Sequence, residues 1–302
     1  MTTTAVLLCG HGSRDPEAIA EFERAAKGLR PRLSDYDFGT GYLEFARPTI
    51  RDGLAALAER GARRIYAVPG MLFAASHVKN DLPWEMNSFA AANPSVEVRL
   101  ARDLAIDAKL LAAAAARIAE VAPDRRDETL LVVVGRGTND PDANSNISKI
   151  ARMLWEGMGF GWAEAAFSGV ADPRVAAALR RSAGLGFRRV VVFPYFLFTG
   201  ILVKRIHGET DAVAAEFPAI EFVKAGYLGD HALVLDTLAE RVHELVQGDP
   251  AMNCQLCKYR AQIVGYEGEV GKPQEGHHHH VRGIGVGGHD HHHHHDHPHP
   301  HD

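Results

Sequence analysis

The sequence predicts an α/β protein: two tandem doubly wound parallel-sheet domains facing a cleft, followed by a His-rich C-terminal segment expected to be disordered. Three observations carry this. Short apolar runs with strand character alternate with stretches of helical spacing, the signature of parallel sheets covered by helices. The alternation occurs twice at an offset of 125: V-L-L-C-G-H-G-S-R-D-P from Val6 returns as L-V-V-V-G-R-G-T-N-D-P from Leu131, Pro48 as Pro173, and Val68-Pro69 as Phe193-Pro194. Beyond Gln247 the composition turns to Gly, Pro, charge and histidine, which cannot bury a core. The expected division is 1–124, 125–248 and a Cys-pair and His-rich segment over 249–302.

In the first copy, residues 5–9 read as a buried strand. Residues 16–29 have helical spacing, with Pro at the start and acidic residues in the first turns. A second strand is expected at 38–45, a helix at 48–60 stopped by Gly61, and a third strand at 65–69. After the loop 70–76 come a helix at about 78–91, a strand at 96–100 and an Ala-rich helix at 105–121. The second copy repeats the plan, with strands at about 130–134, 163–170, 189–193 and 221–225. Its helices are expected at about 144–158, 173–183, 204–217 and 231–246.

The 302 residues suffice for two domains with proper cores. Hydrophobic content of 46% and charged content of 24% describe a soluble globular chain. A net charge of −5 argues against a nucleic-acid surface. No apolar run approaches the roughly 20 residues of a membrane span. The N-terminus lacks a basic region before its first strand, so no signal peptide and a cytoplasmic location are expected. Three cysteines are too few for a disulfide framework, and Cys9 in its apolar run reads as a small buried hydrophobe.

The internal repeat also singles out a site. His11 becomes Arg136, Glu44 becomes Gly169 and His77 becomes Leu202. A scaffold that keeps its plan while losing these three together suggests that they act together. Strand order 2-1-3-4 would place the ends of strands 1 and 3 side by side at the order reversal, where such sheets bind ligands. His11 follows strand 1, His77 follows strand 3, and Glu44 lies near the end of strand 2. Two imidazoles and a carboxylate suit a borderline divalent ion, and suit proton transfer near neutral pH equally well. Gly10, His11, Gly12 and Ser13 put backbone N–H groups and a hydroxyl at a helix start, an expected anion seat. Ser76 and Lys79 offer a second one. Arg14, Arg47 and Arg136 are candidates for contacts to carboxylates. No nucleotide is expected: no G-x-x-x-x-G-K-[ST] occurs, and G-R-G-T-N-D from Gly135 lacks the third glycine of a dinucleotide fingerprint.

C-G-H-G-S-R-D, Y-L-E-F-A-R-P-T-I and P-G-M-L-F-A-A-S-H-V-K-N-D-L-P, at this spacing, resemble the CbiX family of class II chelatases over about residues 5–247. The resemblance places the family's metal- and proton-handling histidines on His11 and His77 and its carboxylate on Glu44. It implies ATP-independent insertion of Co²⁺, the substrate metal, into sirohydrochlorin within anaerobic cobalamin synthesis. Iron or nickel on the same scaffold is the near alternative, because imidazole and carboxylate accept all three ions.

C-x-x-C at Cys254 and Cys257 is half of a metal site. A similar pair in the resembled family is linked to an iron–sulfur cluster, so a 4Fe-4S cluster, a redox pair and uncoordinated thiols all stay open. A dimer sharing two pairs would complete such a cluster, so monomer and homodimer both stay open. Of 18 histidines, thirteen lie from His277 onward, including His277, His278, His279 and His280, then His291, His292, His293, His294 and His295. Interspersed Asp, Pro and Gly argue for a native metal-sequestering tail rather than a tag. His207, His231 and His243 read as ordinary helix residues. Two other classes compete: a metal store or delivery protein acting through the tail, and a phosphohistidine enzyme. The latter uses R-H-G, whereas Gly10 precedes His11 here. Ser13 also lacks a G-x-S-x-G elbow.

Overall fold

The computed structural model describes residues 3–248. Over them, the first repeat runs β1 Thr4–Gly10, α1 Pro16–Leu29, β2 Asp37–Tyr42, α2 Ile50–Glu59, β3 Arg64–Pro69, α3 Leu82–Ala92, β4 Glu97–Leu100 and α4 Ala108–Ala119. The second runs β5 Thr129–Gly135, α5 Pro141–Met158, β6 Trp162–Phe167, α6 Val175–Ala183, β7 Arg189–Pro194, α7 Ile201–Glu216, β8 Glu221–Lys224 and α8 Ala232–Gln247. Each repeat forms a parallel four-stranded sheet, in the orders β2-β1-β3-β4 and β6-β5-β7-β8. This is the expected doubly wound order, with its reversal beside the central strand.

Residue alternation decides the layers. Along β1, Val6 and Leu8 face one core while Ala5, Leu7 and Cys9 face another. Along β5, Leu131 and Val133 share the core of Val6 and Leu8, while Leu130, Val132 and Val134 face outward beneath α6 and α7. Strands buried on both faces explain why these runs are continuously apolar rather than alternating. The shared core is filled from α1, α4, α5 and α8, which form a helical layer between the two sheets. α8, the closing helix of the second repeat, packs on α1 and β3 of the first. Ion pairs pin this exchange. Arg241, with no exposed side-chain surface, donates to Asp107 Oδ2 at 2.7 Å and to Glu244, and Arg102 pairs with Glu244 at 2.7 Å.

Helix starts follow local chemistry more closely than the sequence expectations did. Thr49 and Asp52 form a reciprocal capping box, so α2 begins at Ile50 rather than at Pro48. Asp140 caps α5 ahead of Pro141, three residues before the expected start. His231 caps α8 instead of lying within it, its Nδ1 accepting from Leu233 N. The helix expected at 78–91 opens as a π turn over His77–Asp81 before α3. The offset of 125 still relates Pro69 to Pro194, but Ala92 and Glu216 are 124 apart. The first repeat therefore carries one extra residue in this interval, and a π turn is a way for a helix to absorb one.

The turns after β1 and β2 are sealed together. Leu43 N donates to Gly10 O at 2.9 Å and Glu44 N to His11 O at 3.0 Å. Gly12 makes the seal possible: its φ is +90°, and a Cβ there would lie 1.6 Å from Glu44 O. Gly137 repeats the arrangement against Gly169, with φ +82° and 1.9 Å. Gly61 has φ +98° with open space around it. Gly61→Ala should therefore cost only the left-handed penalty of about 1–2 kcal/mol. Gly12→Ala adds a backbone collision and should cost about 3 kcal/mol or more. Urea unfolding of the two variants checks the ranking. Arg241→Ala takes the buried guanidinium away from the part-exposed Asp107 and leaves Glu244 to Arg102 alone, and should cost about 1–3 kcal/mol by the same measurement.

Candidate active site

The turn after β1 carries His11, the sealed turn after β2 carries Glu44, and the π turn after β3 carries His77. Because β2 and β3 flank β1, three residues remote in sequence converge at one sheet edge. His11 Nε2 lies 3.4 Å from Glu44 Oε1, and His77 Nε2 lies 3.5 Å from the same oxygen. The imidazoles meet edge to face, with centroids 4.8 Å apart. One donor atom from each of the three lies within 4.8 Å of the others. Glu44, past the end of β2 rather than within the strand as expected, is buried, while both rings are about one-third exposed.

Each histidine is held through its far nitrogen. His11 Nδ1 lies 3.0 Å from Gly12 O, a pure acceptor, so Nδ1 carries the proton and the Nε2 lone pair points inward. His77 Nδ1 donates to Asp81 Oδ2 at 2.7 Å, which orients the second ring the same way. His11 Nε2 is closed off from solvent and has no hydrogen-bond partner. Burial above all, then the neighbouring His77 ring and the Arg136 charge, pushes His11 down to about 4, so it is neutral at pH 7. The result is two imidazole lone pairs and one carboxylate oxygen facing a common point. This donor set suits Co²⁺, Fe²⁺, Ni²⁺ or Zn²⁺, and would also accept protons.

The other sequence candidates have diverse surroundings. Gly10 is buried under Phe22 and Tyr42, where a Cβ would lie 2.8 Å from the Phe22 ring. Ser13 Oγ accepts from Asp15 N, and the Asp15 side chain caps α1, so this helix start is already served by the chain's own groups. Arg14 is exposed and stacks 5.0 Å from the Phe45 centroid beside His11. Arg47 is exposed, 3.9 Å from Asp52. Ser76 is exposed at the start of the π turn. Lys79 leaves its own repeat and pairs with Asp140 at 2.6 Å. Arg136, exposed on the second repeat, is near enough for its charge to act on His11. Cys254, Cys257 and the tail histidines from His277 lie outside the described residues. No helix among the described residues is long and apolar enough to cross a membrane.

Two participants escaped the sequence reading. Asp81 was visible in principle, four residues after His77 in a helical stretch, where side chains meet. Asp103 had no local signal. It follows β4, and its Oδ2 accepts from Ala74 N at 2.8 Å, holding the loop that leads to His77.

Comparison with known proteins places the chain in a family. The CbiX family model matches residues 5–121 and 130–245, one match per repeat. A sirohydrochlorin cobaltochelatase of Priestia megaterium is 36% identical over 86% of each chain. A sirohydrochlorin ferrochelatase of the same organism is 33% identical over 80% of this chain and 90% of its own. Among solved structures, SirB from Bacillus subtilis with Fe³⁺ superposes with a TM-score of 0.73 at 29% identity, covering 80% of this chain and 95% of SirB. With a family match over both repeats and relatives of this identity along most of its length, the chain belongs to the CbiX family.

Proposed function

We propose that the protein inserts a divalent metal into sirohydrochlorin, with Co²⁺ as the metal and His11, Glu44 and His77 as the groups that handle it. The observation that carries this is the convergence of the two Nε2 lone pairs and Glu44 Oε1, with both Nδ1 positions occupied by fixed partners. The relative with the higher identity supports cobalt, and the ferrochelatase relative makes Fe²⁺ the competing ion.

The chemistry is a ligand exchange coupled to proton release. Two pyrrole N–H protons leave, and four ring nitrogens replace the protein's donors on the metal. The metal, a substrate, is first held by the three converging atoms. As it transfers to the macrocycle, each freed donor becomes a base beside a pyrrole N–H. Neutral His11 is ready for both roles because burial keeps it unprotonated. Glu44 Oε1, between the two rings, accepts the second proton or passes it on. The Asp81 carboxylate holds the His77 ring through Nδ1 and keeps Nε2 turned toward the metal. Arg136 and Arg14 supply positive charge for the carboxylates of the macrocycle. No nucleotide is required by this scheme.

Visible absorption of sirohydrochlorin, followed with Co²⁺, Fe²⁺ or Ni²⁺, tests the reading. Co²⁺ should give the highest kcat/KM. His11→Ala and His77→Ala should each lower the rate by about 10²–10⁴-fold, and wild-type rates from the double variant would overturn the assignment. Asp81→Asn should raise the KM for metal by about 10–100-fold, because the His77 ring loses its orienting carboxylate. Arg136→Ala should raise the KM for the tetrapyrrole while changing kcat little.

A further inference from the structure

The offset that turns His11 into Arg136 leaves other residues alone. Asp15 corresponds to Asp140, Glu17 to Asp142 and Lys79 to Lys204. The second repeat has discarded its metal donors but kept this acidic pair and this lysine. Lys79 Nζ donates to Asp140 Oδ2 at 2.6 Å and lies 3.2 Å from Asp142 Oδ2. Lys204 Nζ donates to Asp15 Oδ2 at 2.8 Å and lies 2.8 Å from Glu17 Oε2. Each lysine stands near the start of the helical segment after the third strand of its repeat. Each reaches the first turn of the first helix of the other repeat, so the two clusters are related by the same symmetry as the repeats.

The aspartates do two things at once. Asp15 Oδ1 accepts from Glu17 N, and Asp140 Oδ1 from Asp142 N, so one oxygen caps a helix while the other holds the lysine. The clusters also flank the candidate site. Lys79 is two residues from His77, Asp15 four from His11, and Asp140 four from Arg136. The ion clusters therefore join the two repeats close to His11 and His77 on one side and to Arg136 on the other.

We propose that the two clusters are a symmetric pair of latches that set the width of the cleft, making Lys79, Lys204 and their four acidic partners positioning residues for the tetrapyrrole. The identity of the substrate rests on the function proposed above. All three metal-handling side chains come from the first repeat, so the latches leave metal capture alone. The macrocycle has to meet both walls, so they act on its binding. This also gives Lys79 a different part from that of a substrate contact. A lysine waiting for a substrate carboxylate would be released by removing its acidic partners, whereas a latch would be broken.

These alternatives predict opposite signs. The variant Asp15→Asn/Glu17→Gln/Asp140→Asn/Asp142→Asn retains good capping side chains, because Asn caps as well as Asp, and removes the acidic partners of both lysines. The latch account expects its KM for sirohydrochlorin to rise about tenfold and its KM for Co²⁺ to stay within about twofold, the loss of several modest ion pairs. It also expects faster backbone hydrogen exchange in the first turns of α1, α5 and α7. A fall in the tetrapyrrole KM would overturn the proposal in favour of direct lysine–substrate contact. Unchanged KM and unchanged exchange would overturn it in favour of incidental pairs. Should the quadruple variant fail to fold, Glu17→Gln/Asp142→Asn carries the same signs with smaller shifts. A wild-type chain inactive on sirohydrochlorin would remove the proposed function, and the exchange measurement would still decide whether the latches hold.

Discussion

The close approach of the Glu44 backbone to the turn after β1 is the constraint from which the site follows. Gly12 permits it, since any side chain there would occupy the place of Glu44 O. Two backbone hydrogen bonds then tie the turns after β1 and β2 together, and Glu44 is left buried against the His11 ring. Without that seal the carboxylate would stand in a free loop, and three residues spaced 33 positions apart in the chain would not share a point. The parallel register of β1 with β2 and β3 supplies the coarse placement. The seal and the π turn supply the fine placement.

The second repeat shows which parts of this geometry are scaffold. It keeps the glycine, the same two hydrogen bonds and the same strand order, yet it presents Arg136, Gly169 and Leu202 where His11, Glu44 and His77 would stand. Its one-residue-shorter path between β7 and the end of α7 runs as regular α-helix. The π turn in the first repeat accordingly belongs to the site rather than to the fold. It carries His77 and sets Asp81 four residues on, where the carboxylate meets the ring. One repeat carries the two histidines and the carboxylate, the other an exposed arginine in the equivalent place.

Much of this was legible in the sequence because duplication provides an internal comparison. The fold class, the strand order and the trio His11, Glu44 and His77 came from strand-like runs and from three losses at a common offset. Less legible were contacts that form only when the repeats meet. Lys79 reads as a cation beside a histidine, and only the structure shows it paired with Asp140. Ser13 and the start of α1 read as an anion seat, but Asp15 N and the Asp15 cap use that chemistry internally. Arg241 gave no signal in α8, since its burial depends on α8 crossing to the first repeat and meeting Asp107. Periodicity reports which face of an element is buried, not which neighbour buries it.

The central claim is that three side chains of the first repeat form a single metal-handling point. Anomalous diffraction at the cobalt edge, from crystals of the full chain loaded with Co²⁺, tests it most directly. The account predicts one cobalt peak in the cleft, about 2.0–2.2 Å from His11 Nε2, His77 Nε2 and a Glu44 oxygen, and none beside Arg136 and Leu202. Cobalt bound in the cleft away from His11 and His77, or held through an Nδ1 atom of either ring, would contradict it.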